Sequence, residues 1–151
     1  MIRSNIILLV EDNADDLELT LRAFKKSQID HEIVVARDGR EALDYLFSEG
    51  AFAAIEPQRA PEVVLLDLNL PKLNGLDVLR RMRADERTRR IPVVVLTSSR
   101  EEQDVLRSYD FGANSFVRKP VDFALFLEAA RQLGVYWLGV NVQPAQAAFG
   151  H

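Results

Sequence analysis

A chain of 151 residues with 48% hydrophobic and 28% charged side chains has room for one well-buried core, and its net charge of -4 argues against general nucleic-acid binding. The absence of cysteine excludes a disulfide framework, a thiolate nucleophile and a cysteine-based zinc site, and fits a reducing compartment. His31 and the terminal His151 are the only imidazoles and lie far apart, which argues against a histidine metal site. The apolar run behind Met1 to Asn5 is too short for a secretory core or a membrane span, and no later run is longer, so a cytoplasmic protein without membrane contact is expected.

Ile6 to Val10 is an unbroken apolar run that ends on Glu11 and Asp12, and it reads as a strand near 5–11 buried on both faces. A helix near 14–27 follows. Leu17, Leu21 and Phe24 keep i, i+4, i+7 spacing, Asn13 is a fair cap, and Asp15 and Asp16 occupy the first turn, where the helix dipole favours negative charge. A strand near 32–36 leads to a helix near 39–48, with Leu43, Leu46 and Phe47 as its stripe behind Asp38-Gly39. Residues 49–61 form a connection longer than the two to six residues usual in such units, which makes it either functional or mobile.

The next strand, near 62–67, carries Val63-Val64-Leu65-Leu66 and ends on Asp67, with Leu68-Asn69-Leu70-Pro71 behind it. Leu76, Leu79 and Met82 mark a helix near 75–85. Arg80, Arg81, Arg83, Arg87, Arg89 and Arg90 crowd this region and read as a solvated face, since no aromatic residues interleave for stacking on nucleic acid. A strand near 92–97 ends on Thr97, a helix spans about 100–109, and a strand near 115–118 runs into Lys119-Pro120. The last helix, near 122–138, has Phe126, Ala129, Ala130 and Leu133 on one side. One domain over 1–142 and a disordered tail over 143–151 are the expected organisation.

Strand-type runs alternating with helical periodicity predict an α/β fold, a doubly wound parallel sheet of five strands in the order 2-1-3-4-5. That order sets the first and third strands side by side and brings Glu11, Asp12 and Asp67 to the switch point. Thr97 and Lys119 end their strands on the same edge. Clustered carboxylates repel unless one is protonated or a cation joins them. Three carboxylates, a hydroxyl and an ammonium are an inventory suited to phosphoryl chemistry. A carboxylate attacks phosphorus to give an aspartyl-phosphate, and magnesium uses one or two carboxylates with phosphate oxygens and water.

Glu11-Asp12, Asp67, Thr97 and Lys119-Pro120, in this order at the strand ends of a five-fold βα chain, resemble the receiver domain of two-component response regulators, over about residues 5–138. The resemblance implies the flavodoxin-like receiver fold and a phosphoacceptor role for Asp67. It places Mg2+ on Asp12, Asp67 and the carbonyl of Asn69, with Glu11 assisting, and the phosphoryl group against Thr97 and Lys119. It makes Phe116 an aromatic switch, against the plainer reading of a core aromatic on a short strand. Asn69 and Ser99 match positions that set acyl-phosphate lifetime, or simply satisfy loop backbone. Lys119-Pro120 matches a motif that often holds a cis bond.

A narrower resemblance is carried by Ala42 to Phe47, the long segment after it, Asp67 to Pro71 and Tyr136-Trp137-Leu138. These are similar to single-domain regulators paired with bacterial phytochrome histidine kinases. A histidine kinase partner follows, with output through the fourth helix, fifth strand and fifth helix and a homodimer on that surface. A phosphorylation-independent binding module and a magnesium-dependent phosphohydrolase are the rival readings. The second is weakened by Asn69 standing where such hydrolases carry another acid.

Overall fold

The computed structural model describes residues 5–50 and 60–144, with five strands and five helices in strict alternation. These are β1 (Ile6–Val10), α1 (Ala14–Lys26), β2 (Glu32–Ala36), α2 (Gly39–Leu46), β3 (Val63–Leu66), α3 (Gly75–Arg83), β4 (Val93–Thr97), α4 (Glu102–Asp110), β5 (Ser115–Arg118) and α5 (Phe123–Val135). A π-helical turn over Tyr136–Val140 extends α5. All strand pairs are parallel and the sheet order is β2-β1-β3-β4-β5, as the alternation predicts. Most of the long connection after α2 and the tail beyond 144 lie outside the described residues.

β1, β3 and β4 are buried at every position. Each central strand therefore needs apolar side chains on both faces, which is why the sequence shows continuous runs and not alternation. One cluster, including Leu8, Val64, Val95, Leu43 and Leu79, fills the face under α2 and α3; the other, including Ile7, Leu65, Val94, Phe24 and Ala130, fills the face under α1 and α5. Burying each such Val or Leu stabilises the fold by roughly 1.5–3 kcal/mol relative to leaving it in water.

Helix starts follow from the caps. Asn13, Asp38, Asn74 and Asp122 each accept a backbone N–H from three residues on, relieving one unpaired donor of the first turn. Glu101 makes no such bond, so α4 begins without a side-chain cap.

The β3–α3 loop is pinned by two close approaches. A Cβ at Gly39 would lie 2.0 Å from the Leu73 carbonyl oxygen, and one at Gly75 would lie 2.3 Å from that of Asp67. Gly75→Ala therefore forces α3 off the end of β3 and is expected to cost about 2–3 kcal/mol by overpacking. Urea unfolding checks this; an unchanged midpoint would mean the loop yields freely.

The arginines are less solvated than their sequence suggests. Arg83 is half-buried and donates to the carbonyls of Gly112 at 2.9 Å, Arg89 at 3.0 Å and Ile91 at 2.9 Å, and to Asn114 Oδ1 at 3.0 Å. It ties the end of α3 to the entries of β4 and β5. Arg80 lies 5.1 Å from the centre of the Phe111 ring and Arg87 lies 4.7 Å from that of Phe47. Arg81, Arg89 and Arg90 are exposed, as a solvated face requires.

Candidate functional site

Backbone pairing carries the chemical residues to one edge. The Glu11 N–H donates to the Ala36 carbonyl at 2.9 Å, that of Asp67 to Val10 at 3.1 Å, and that of Lys119 to Thr97 at 2.8 Å. Each ladder thus runs one residue past its strand, and Glu11, Asp67 and Lys119 sit on the carboxyl side of β1, β3 and β5, with the Thr97 end of β4 between the last two.

Their side chains meet. Lys119 Nζ donates to Glu11 Oε1 at 2.6 Å, to Asp16 Oδ2 at 2.8 Å and to Asp67 Oδ2 at 3.1 Å. Glu11, Asp67 and Lys119 are all buried. The other Asp67 oxygen, Oδ1, accepts the Asn69 N–H at 3.2 Å, and Glu11 Oε2 accepts the Asn13 N–H at 3.1 Å. Thr97 is fully buried, and its Oγ1 accepts the Ser99 N–H at 3.3 Å, which leaves the hydroxyl proton to be donated. Ser99 in turn donates its hydroxyl to Asp104 Oδ2 on α4 at 2.5 Å.

Asp12 and Asn69 expose their side chains at the mouth of this cluster, and Phe116 is half-buried against the core with the Arg118 guanidinium 6.0 Å from its ring centre. The Lys119–Pro120 bond is trans, the form an X–Pro bond still prefers by about 0.5–1 kcal/mol.

Asp16 is the residue that sequence reasoning missed. Its place in the first turn of α1 is accounted for by the helix dipole alone, and only the fold reveals that this turn stands over Lys119. The available signal was the short step from Glu11 to a helix starting at Ala14, which returns the first turn over the strand end. Another buried carboxylate, Glu62, lies just before β3 at the opposite edge of the sheet. It meets His31 Nε2 at 2.7 Å and the side-chain amide of Gln143, so the residue where the tail was expected to begin is buried.

Three acids around one ammonium set the electrostatics. Burial pushes the Glu11 carboxyl up to about 7, the Lys119 hydrogen bond pulls against that rise, and the Asp67 charge adds to it. Burial works to lower the Lys119 pKa, but hydrogen bonds to Asp16 and Glu11 and the charges of Asp67 and Glu11 outweigh it and push the group upward. The ammonium is thus held charged, and Glu11 gives up its proton less readily than an ordinary carboxyl.

Among the described residues, no three acid or histidine side chains close on a common metal position. Magnesium does not need that, since it commonly takes one or two carboxylates and completes its shell with water. Asp12, Asp67 and the Asn69 carbonyl offer the hard oxygen donors it prefers, at a mouth open to solvent, so the donor set fits.

The Glu11 shift gives a signed expectation. A carboxyl raised from 4.5 to about 7 stabilises the fold fully below pH 4.5, and that contribution is lost as pH rises through about 7. A divalent cation bound beside Glu11 would favour its charged form, so apparent cation affinity is expected to rise with pH toward about 7 and to level off above it. Calorimetric titrations between about pH 5.5 and 8.5 read this directly, and a flat profile would uncouple Glu11 from the cation.

Comparison with known proteins places the chain. The model of the response regulator receiver domain matches residues 7–131. Among curated relatives, the "Probable methanogenesis regulatory protein FilR2" of Methanothrix harundinacea is 43% identical over 94% of this chain and 89% of its own length. Among solved structures, the phosphorylated cyanobacterial phytochrome response regulator RcpA is 38% identical, with a TM-score of 0.86 over 94% of this chain and 99% of that one. The manganese-bound form of response regulator Rcp1 is 37% identical, with a TM-score of 0.86 over 93% and 99%. The bacteriophytochrome response regulator AtBRR is 54% identical, with a TM-score of 0.71 over 93% and 100%.

Proposed function

The chain belongs to the response regulator receiver domain family, and from that premise we propose that it accepts a phosphoryl group from a histidine kinase onto Asp67 in a magnesium-dependent reaction. The observation that carries this reading is the buried contact of Lys119 with both Glu11 and Asp67 on the edge that also holds Thr97.

The chemistry is a single in-line displacement. An Asp67 carboxylate oxygen attacks phosphorus, a P–O bond forms, the P–N bond to the kinase histidine breaks, and the imidazole nitrogen keeps the electron pair. The phosphoryl oxygens bring negative charge to a site where Lys119 is held protonated and Thr97 has a proton to donate. Preorganised positive charge and a fixed donor are what such a transfer needs. Asp12, Asp67 and the Asn69 carbonyl would hold the magnesium, which would supply charge neutralisation for the transferring group. Glu11 supports the cluster from behind, anchored by Lys119 and the Asn13 N–H. A manganese-bound relative supports divalent binding.

Output follows from what touches the phosphoryl contacts. Thr97 is linked through Ser99 to Asp104 on α4, so a shift of Thr97 toward the phosphoryl group pulls on the uncapped start of that helix. Phe116, on the neighbouring strand, is the packing element that refills the space. α4 and α5 expose Leu106, Tyr109, Phe123 and Leu125, each at least half-exposed, which supports a homodimer through the α4-β5-α5 surface. The 54% identity to a bacteriophytochrome response regulator supports a bacteriophytochrome kinase as the donor.

The reading is tested by incubating the protein with magnesium and a small amido phosphodonor and recording its intact mass and native size. One phosphoryl addition supports the receiver reading, and a concurrent size increase supports dimer output. No addition to folded, magnesium-bound protein would sink it.

A further inference from the structure

Lys119 has three N–H donors and three carboxylate partners, so its bonding capacity is full. To bind a phosphoryl oxygen on Asp67 it must give up or share one of them. The three are not equally easy to release. The Glu11 side chain is only 3% exposed, and a buried carboxylate deprived of its cation keeps its desolvation cost. Asp67 carries the phosphoryl group itself. The Asp16 side chain is 26% exposed, so water takes over its oxygens once it lets go. The backbone beneath it stays fixed: the Asp16 N–H donates to Asn13 Oδ1 at 2.9 Å, and its carbonyl accepts the Thr20 hydroxyl at 2.8 Å.

We infer that Asp16 is a positioning residue that holds the Lys119 ammonium in the resting state and yields it when the phosphoryl group forms on Asp67. The inference rests on the receiver reading above and adds to it a residue from the first turn of α1. Asp16 acts through Lys119 and touches no reacting atom. Its charge therefore restrains phosphorylation, because every transfer includes the release of this ion pair.

Asp16→Asn keeps the size and one acceptor oxygen but removes the charge. It is expected to raise the limiting rate of phosphoryl addition about three- to tenfold, the range for one partly exposed charge-assisted bond. The donor concentration at half-saturation should not change, since Asp16 does not contact the donor.

The experiment follows phosphoryl addition by intact mass in wild type, Asp16→Asn, Asp16→Glu and Asp15→Asn, with magnesium and phosphoramidate, and checks each fold by thermal unfolding. Asp15→Asn makes the same charge change one residue away, on an exposed side chain, and should match wild type. Asp16→Glu should return most of the restraint. Asp16→Asn matching Asp15→Asn, or slower than wild type, overturns the inference alone. A wild type that takes up no phosphoryl group overturns the receiver reading and this inference with it.

Discussion

Asp67→Asn should take up no measurable phosphoryl group, a loss of at least about a thousandfold, while unfolding no earlier than wild type in metal-free buffer. Loss of a nucleophile on this scale is typical of groups that form the covalent bond themselves. The stability half of the expectation comes from the charge balance. Glu11, Asp16 and Asp67 share one ammonium, and burial together with the Asp67 charge pushes the Glu11 carboxyl up to about 7. Removing the Asp67 charge eases that crowding, and an amide oxygen still accepts the Asn69 N–H now received by Oδ1. The upward shift in Tm expected from magnesium should shrink to less than half, because one of the carboxylates proposed to hold it is gone. A metal-free Tm lowered by more than a few degrees would make Asp67 a structural anchor and remove the ground for treating it as a dedicated acceptor.

The parts of this site legible in the sequence were those at strand ends. Glu11, Asp67 and Lys119 follow apolar runs that leave little choice of conformation, and one rule, right-handed crossovers around a parallel sheet, places them on a common edge. Asp16 escaped because a helix-dipole explanation already accounted for it, and its real partner lies 103 residues away. Arg83 escaped for a different reason. Its partners are mostly backbone carbonyls, which any sequence supplies, so a cation that binds them looks the same as one that faces water. The Glu62–His31 contact was hidden by the separation of two loops that only the pairing of β1 with both β2 and β3 brings together. Local pattern thus predicts what a strand delivers, and topology decides what that residue meets.

Lys119→Met should lower stability by about 3–5 kcal/mol in metal-free buffer near pH 8, the usual cost of removing one partner of a buried charge pair. For a chain of this length that corresponds to a fall in Tm of roughly 10 °C or more. Methionine fills the space of the lysine stem, so the effect is the charge and not a cavity. Glu11, already pushed up to about 7 with Lys119 in place, moves further up without it. A carboxyl whose folded pKa lies above its unfolded value stabilises the fold below the unfolded pKa and loses that contribution as pH rises through the folded one. The deficit of the variant should therefore narrow toward pH 5 and widen toward pH 8. A divalent cation held at Asp12 and Asp67 would bring positive charge beside these acids, so magnesium is expected to recover more stability in the variant than in wild type. Urea unfolding at both pH values, with and without millimolar magnesium, separates this from a packing defect. A deficit unchanged by either proton or metal would mean that Lys119 fills space and does not balance the acids, and its assignment as the charge that meets the phosphoryl group would fail with it.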